Sequence, residues 1–174
     1  LYESTGQYGE SSVRKVALET GEVLQKLDLP GNIFGEGLTF WQDRFYCLSW
    51  KSKKAFAVIE SDGALAEDTA KNWSYPSEGW GLTHNDTHLI MSDGSDQLYF
   101  LDPDSKQVAK TLNVKREGEP LRLLNELEFY DGVIYANVWR QDYFVAIDPE
   151  DGSVRQQINV PIAELFTPTE RESI

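Results

Sequence analysis

The chain has 174 residues, with 16 Lys+Arg against 29 Asp+Glu and a formal net charge of −13. One domain with its own core is expected at this length, and the charge excludes a general positive field for nucleic acid or anionic membrane. The single cysteine, Cys47, excludes an internal disulfide framework and a multi-cysteine metal site, and no apolar run approaches the ~20 residues of a membrane span. The chain opens on Leu1-Tyr2-Glu3 without a methionine, so an upstream segment is expected and the missing signal peptide is uninformative. Five Trp, eight Tyr and eight Phe make 12% of a polar chain, which places ring surface in a β-rich core, in a site, or in both.

The expected elements are strands. Leu1-Tyr2 opens one, and Leu18-Glu19-Thr20-Gly21 reads as a hairpin turn. Leu38 to Trp41 forms a strand, Gln42-Asp43-Arg44 turns, and Phe45 to Trp50 is apolar-rich. Ser52-Lys53-Lys54 breaks that run, Ala55 to Ile59 forms the next strand, Ser61-Asp62-Gly63 turns, and a weaker strand runs from Ala64 toward Trp73. The same order returns with Leu82, Leu89-Ile90 and the turn at Leu101-Asp102-Pro103-Asp104. It returns again with Leu127, Ile134-Tyr135 and the turn at Ile147-Asp148-Pro149-Glu150-Asp151-Gly152. No segment keeps a 3.6-residue apolar period over three turns. The tail from Pro161 to Ile174 has room for one helical turn around Ala163-Glu164-Leu165.

The repeat can be measured. Gly35-Glu36-Gly37-Leu38-Thr39 recurs 44 residues later as Gly79-Trp80-Gly81-Leu82-Thr83, and Asn125-Glu126-Leu127-Glu128-Phe129 takes the same place 46 residues after that. Four short strands in ~45 residues is a propeller blade. The expected units are 1–33, 34–76, 77–122 and 123–162 of one domain, with 163–174 a tail or linker. The chain starts on the second strand of a blade and ends after the fourth strand of another. It therefore reads as part of a larger ring, because an open ring leaves edges exposed. A four-bladed ring or an open stack of sheets is the other reading.

A set of motifs in order then becomes specific: Phe34-Gly35-Glu36-Gly37-Leu38-Thr39, Trp50, Glu78-Gly79-Trp80-Gly81-Leu82, Ile90-Met91-Ser92-Asp93-Gly94-Ser95, Leu124-Asn125-Glu126-Leu127-Glu128 and Ala136-Asn137-Val138-Trp139. Across nearly the whole chain they resemble the plant-type glutaminyl-peptide cyclotransferases and their bacterial branch. The resemblance implies an all-β, five-bladed propeller of which this chain covers about four blades. It also implies a metal-independent acyltransferase without cofactor, secreted or periplasmic. Its substrate would be a peptide or protein with N-terminal glutamine, converted to pyroglutamate with release of ammonia. Two departures stand out. The family's inner-strand motif of the type Phe-Thr-Gln-Gly before the Leu1-Tyr2 match is absent, and so is a fifth blade carrying a Gly-Lys pair and a Trp. A non-catalytic propeller that binds peptides or partners is the alternative.

Cyclisation needs a neutral amine, a donor for the developing oxyanion and a proton for the leaving ammonia. An α-amine has a pKa near 8, and one carboxyl can take its proton and return it. Glu36 is the candidate, at an inner-strand start between glycines that admit a close approach. A Glu at such a place is ordinarily a solvated loop end; the resemblance moves it to the site. Trp50, Trp80 and Trp139 fall at comparable ends of three units and can wall a pocket, with indole N–H groups able to donate to a carbonyl oxygen. The competing role, packing between blades, suits Trp41 and Trp73 better. Asn125 offers an amide to amine and carboxamide, or is a turn residue before a strand. Glu126 binds the substrate amine or braces the pocket, and Phe34 fits wall and core equally. His84 and His88 have i, i+4 spacing, but Asn85-Asp86-Thr87 between them reads as a turn rather than a helix. Cys47 reads as buried filler, Asp93-Gly94-Ser95-Asp96 as a turn rather than a calcium loop, and Lys51, Lys53 and Lys54 as a solvated loop. Asn72-Trp73-Ser74 and Asn85-Asp86-Thr87 match the glycosylation acceptor pattern, which is frequent by chance.

Overall fold

Short runs of alternating apolar residues, cut by Asp-Gly turns, fold as antiparallel hairpins. The computed structural model describes residues 1–161, and the helical turn expected around Ala163-Glu164-Leu165 lies outside the described residues. Eighteen strands form four propeller-like sheets and one small hairpin; the described residues contain no α-helix, only a 3-10 turn at Thr69–Lys71.

Sheet I has three strands: β1 (Tyr2–Thr5), β2 (Ser12–Val16) and β3 (Val23–Asp28). Sheet II holds β4 (Gly35–Trp41), β5 (Arg44–Ser49), β6 (Lys54–Ser61), β7 (Ala64–Glu67) and β8 (Trp73–Ser74). Sheet III holds β9 (Leu82–His84), β10 (Leu89–Ser92), β11 (Gln97–Leu101) and β12 (Val108–Asn113). A hairpin of β13 (Lys115–Arg116) and β14 (Glu119–Pro120) leads to sheet IV: β15 (Leu124–Tyr130), β16 (Val133–Val138), β17 (Tyr143–Ile147) and β18 (Val154–Asn159). The first strands of sheets II, III and IV lie side by side, β4 against β9 and β9 against β15, and β1 adjoins β4. That is the arrangement of blades around an axis.

The turns follow from their residues. Asp62-Gly63 and Asp131-Gly132 all have positive φ, as a two-residue hairpin requires. Three buried clusters fill the gaps between neighbouring sheets, around Cys47 and Val58, around Leu82 and Met91, and around Ile134 and Val145. Trp41 and Trp73 pack against the second of these, in the core role expected for them. Glu60 on β6 accepts hydrogen bonds from Tyr2, Lys15 and Gln25 and ties sheet I to sheet II.

The weak strand expected from Ala64 toward Trp73 is instead two strands, both paired with β6. Between them the chain loops out, and the ladder is kept by substitution. Asp68 N–H donates to Ala57 O at 2.8 Å, and Asn72 Oδ1 accepts from Ala57 N–H at 2.9 Å.

Candidate functional site

The inner strands leave the ladder where they approach the axis. The register slips between Gly35 and Leu38 in sheet II, and between Leu124 and Leu127 in sheet IV. Aligning the sheets by these pairs, with Leu82 opposite Met91 in sheet III, makes Glu36, Trp80 and Asn125 equivalent. The sequence repeat had set Glu126 opposite Trp80. The ladder corrects this by one residue: Leu127 takes the place of Leu38 and Leu82 against the second strand, so sheet IV follows sheet III by 45 residues rather than 46.

Two glycines permit the close packing at the axis. A Cβ on Gly37 would lie 2.4 Å from Leu82 N, and one on Gly81 would lie 2.1 Å from Asn125 O. What the glycines beside Glu36 admit is therefore a neighbouring backbone; Gly37 N–H donates to Trp80 O at 2.7 Å. Hydroxyls hold the bulged residues from the preceding sheet. Ser4 Oγ donates to Glu36 O at 2.5 Å, and Ser92 Oγ donates to Asn125 O at 2.7 Å while accepting from Gly81 N–H at 2.7 Å. Ser4 and Ser92 are equivalent second-strand positions; the corresponding residue is Leu48 in sheet II and, in sheet IV, Asn137. Its Oδ1 is buried and has no hydrogen-bond partner among the described residues.

The result is a pocket of about 400 Å³ lined by Ser4, Gly6, Phe34, Gly35, Glu36, Trp50, Trp80, Asn125, Glu126 and Trp139. All seven residues singled out in the sequence meet there. Phe34 stands edge-on to Trp50, with centroids 5.6 Å apart, and Trp80 edge-on to Trp139, also at 5.6 Å. Gly6 makes room for Phe34, whose ring would lie 2.3 Å from a Cβ there. The tryptophans do not sit at equivalent ends, as the sequence had suggested. Trp50 and Trp139 follow second strands, with backbone N–H groups donating to Phe34 O and Leu123 O, whereas Trp80 lies just before the inner strand β9.

Glu36 is half-buried, and its carboxyl makes no hydrogen bond within the described residues. Burial, then the neighbouring Glu126 and Glu78, pushes its pKa up to about 8. Glu126 is an exposed residue overall, yet protein atoms crowd its carboxyl. This desolvation pushes it up to about 7, opposed by a hydrogen bond from the Leu127 N–H and reinforced by Glu128.

Two features were not visible in the sequence. The indole N–H groups of Trp50 and Trp80, expected to serve a substrate carbonyl, both donate to Glu78 Oε2, at 2.7 and 3.0 Å. Only a three-dimensional contact over 28 residues reveals this. Lys51, read as part of a solvated loop, lies over the Trp50 ring at 3.8 Å, and Arg140 lies over Trp139 at 4.2 Å.

The family model for glutamine cyclotransferases matches residues 1–172. The chain belongs to the glutamine cyclotransferase family. It is 39% identical over 156 residues to the glutaminyl-peptide cyclotransferase of Arabidopsis thaliana, covering 88% of this chain and 47% of that protein. The chain thus spans about half the length of the curated relative it matches. The crystal structure of Myxococcus xanthus glutaminyl cyclase superposes with a TM-score of 0.86 at 34% identity, over 97% of this chain and 72% of the other. Kuenenia stuttgartiensis hydrazine synthase shares the fold alone, with a TM-score of 0.54 at 11% identity over 86% of this chain and 43% of the other.

The other candidates of this family member take structural places. Asn85 Oδ1 accepts from the Thr87 and His88 N–H groups, so the segment between the two histidines is a turn. Among the described residues no group of three or more His, Cys, Asp or Glu is placed to hold a metal ion. Cys47 is fully buried, and burial pushes its thiol up to about 12. Asp93 closes its own turn, accepting from Ser95 and from the Tyr99 hydroxyl.

Proposed function

We propose that the full-length protein is a glutaminyl-peptide cyclotransferase, acting on peptides or proteins with N-terminal glutamine, and that Glu36 is its proton shuttle. The observation that carries this is the carboxyl of Glu36, without a protein hydrogen bond among the described residues and raised to about 8, in a pocket walled by three tryptophans. An α-amine titrates at about 7.7–8.0, so proton exchange with such a carboxyl is nearly balanced in free energy. The amine nitrogen, relieved of one proton by Glu36, attacks the γ-carboxamide carbon and closes the five-membered ring. Glu36 gives that proton to the departing nitrogen, the C–N bond breaks and ammonia is released; the extra proton left on the ring nitrogen then passes to Glu36 and on to solvent or ammonia. The oxyanion needs a donor. Trp50 and Trp80 have given their N–H groups to Glu78, which leaves the Asn125 amide and the Trp139 indole. Phe34 and the tryptophans exclude water and hold the side chain flat, and Glu126 attracts the ammonium. The reading calls for no cofactor or metal and no nucleic-acid partner.

The same reading makes the units 1–33, 34–76, 77–122 and 123–162 four blades of a five-bladed ring in one secreted or periplasmic domain. Three strands in sheet I and the buried Asn137 Oδ1, without a hydrogen-bond partner among the described residues, support a further unit between sheets IV and I. The experiment is incubation of the full-length protein with a Gln-initiated peptide, scored by ammonia release and by loss of a free N-terminus. Peptide binding without either change would favour the binding-module alternative.

A further inference from the structure

Glu78 does not line the pocket, yet both Trp50 and Trp80 depend on it. One oxygen, Oε2, accepts both indole N–H groups. The backbone around it is also fixed. Gly79 N–H donates to Trp50 O at 3.0 Å, and Trp80 N–H to Ser92 O at 3.1 Å. A Cβ on Gly79 would lie 2.4 Å from the Tyr75 hydroxyl, which itself bonds the backbone of Ser49. Glu78 therefore has little freedom to follow a moving ring, and the rings must come to it. A carboxylate oxygen receiving two N–H groups is a charge-assisted arrangement, stronger than one between neutral partners. Trp50 arises from sheet II and Trp80 from the start of sheet III, so the shared acceptor locks two sheets as well as two rings.

We propose that Glu78 is a positioning residue: its carboxylate fixes Trp50 and Trp80 as one rigid wall and keeps a negative charge behind the pocket that governs when Glu36 carries its proton. The second half rests on the reading of Glu36 as a proton shuttle; the first does not.

The groups facing Glu36 are few. Glu126 comes from β15 and Glu78 from the segment before β9, and both raise it. Cys47 from β5 and Ser4 from β1 direct their side chains at its carbonyl oxygen. The cations Lys51 and Arg140 lie over the rings of Trp50 and Trp139. Glu78 is thus one of two carboxylates that hold the Glu36 proton on.

Two variants of the full-length protein separate clamp from charge. Glu78→Gln keeps an acceptor oxygen for both indoles and removes the charge. Glu78→Ala removes both. In Glu78→Gln the indole N–H proton resonances of Trp50 and Trp80 should stay close to wild type. KM should change less than about threefold, while the acidic limb of kcat/KM should move toward lower pH by roughly one unit, the size of a near like-charge effect. In Glu78→Ala both indole resonances should move together, and KM should rise roughly 10- to 100-fold, as for a misplaced binding surface. An unmoved acidic limb in Glu78→Gln overturns the electrostatic half. Indole resonances that ignore Glu78→Ala, or that move one without the other, overturn the clamp. If Glu78→Ala does not fold, loss of both indole shifts in Glu78→Gln overturns the clamp and their retention supports it. A wild-type protein that releases no ammonia defeats the cyclotransferase reading and the electrostatic half, while the indole resonances still decide the clamp.

Discussion

Replacing Glu36 by glutamine tests the proton shuttle most directly. Glutamine keeps the volume and shape of the side chain but carries no proton at working pH. Because the Glu36 carboxyl makes no hydrogen bond within the described residues, the change breaks no hydrogen bond there. Loss of a general acid–base group costs about 10²–10⁴-fold, or roughly 3–5 kcal/mol of barrier. KM should change little, since the walls and Asn125 remain, so the loss falls on kcat. The wild-type pH profile is set by the same carboxyl. The reactive complex holds one proton shared between a group at about 8 and an amine near 8, so kcat/KM should peak near pH 8. At pH 6 the required combination of carboxylate and ammonium is roughly 25-fold rarer than at pH 8. Glu36→Gln should lose this acidic limb. It should also melt higher than wild type at pH 8 and similarly at pH 4. The sign follows from linkage. The folded value, about 8, lies above the ~4.3 of the unfolded chain. The native state therefore keeps a proton that the unfolded state has released, and stability falls as pH rises through that window. The assay is steady-state ammonia release across pH, with thermal melts by circular dichroism. A folded variant with more than about a tenth of wild-type kcat, or with the acidic limb intact, removes Glu36 from the role.

With Asn125 as the oxyanion donor, Trp139→Ala removes a wall rather than a proton carrier, so KM should rise about tenfold with kcat nearly kept; a fall confined to kcat would assign the donor to the Trp139 indole. Ser92→Ala leaves the buried Gly81 N–H and Asn125 O unpaired, a loss of about 1–3 kcal/mol or roughly 2–12 °C in the melting midpoint, and an unchanged midpoint would show that these groups find other partners. Phe144 and Ile158 face each other across β17 and β18 and are 41% and 37% exposed, so the 174-residue chain alone should associate with rising concentration in sedimentation, and a monomer at all concentrations would contradict this.

The strand order and most hairpins are legible because Asp-Gly turns and apolar alternation are local. Leu101-Asp102-Pro103 and Ile147-Asp148-Pro149 mark the same joint in two sheets, and the ladder places them there. The gathering of the seven candidate residues in one pocket was legible through the resemblance and its motif order; equivalent positions account only for Glu36, Trp80 and Asn125. What the sequence hides is relational. The strand register puts Asn125 rather than Glu126 in line with Glu36, and nothing in the residue types announces it. Asn72 stands in for a ladder bond through its side chain. Glu78 looks like any surface acid until two indoles are found on its oxygen.

The hydroxyl ties from Ser4 to Glu36 and from Ser92 to Asn125 have a consequence for recombination. Glu36 and Asn125 each travel with their own inner strand, but their placement is supplied by the second strand of the sheet before. The exchangeable piece is therefore out of phase with the sheet: it begins at one second strand and ends at the next inner strand. A chimera between relatives joined in the linker ahead of β15 would inherit Asn125 from one parent and the hydroxyl that seats it from the other. A junction placed in the β15–β16 hairpin keeps that pair together, at the cost of taking Trp139 from the other parent.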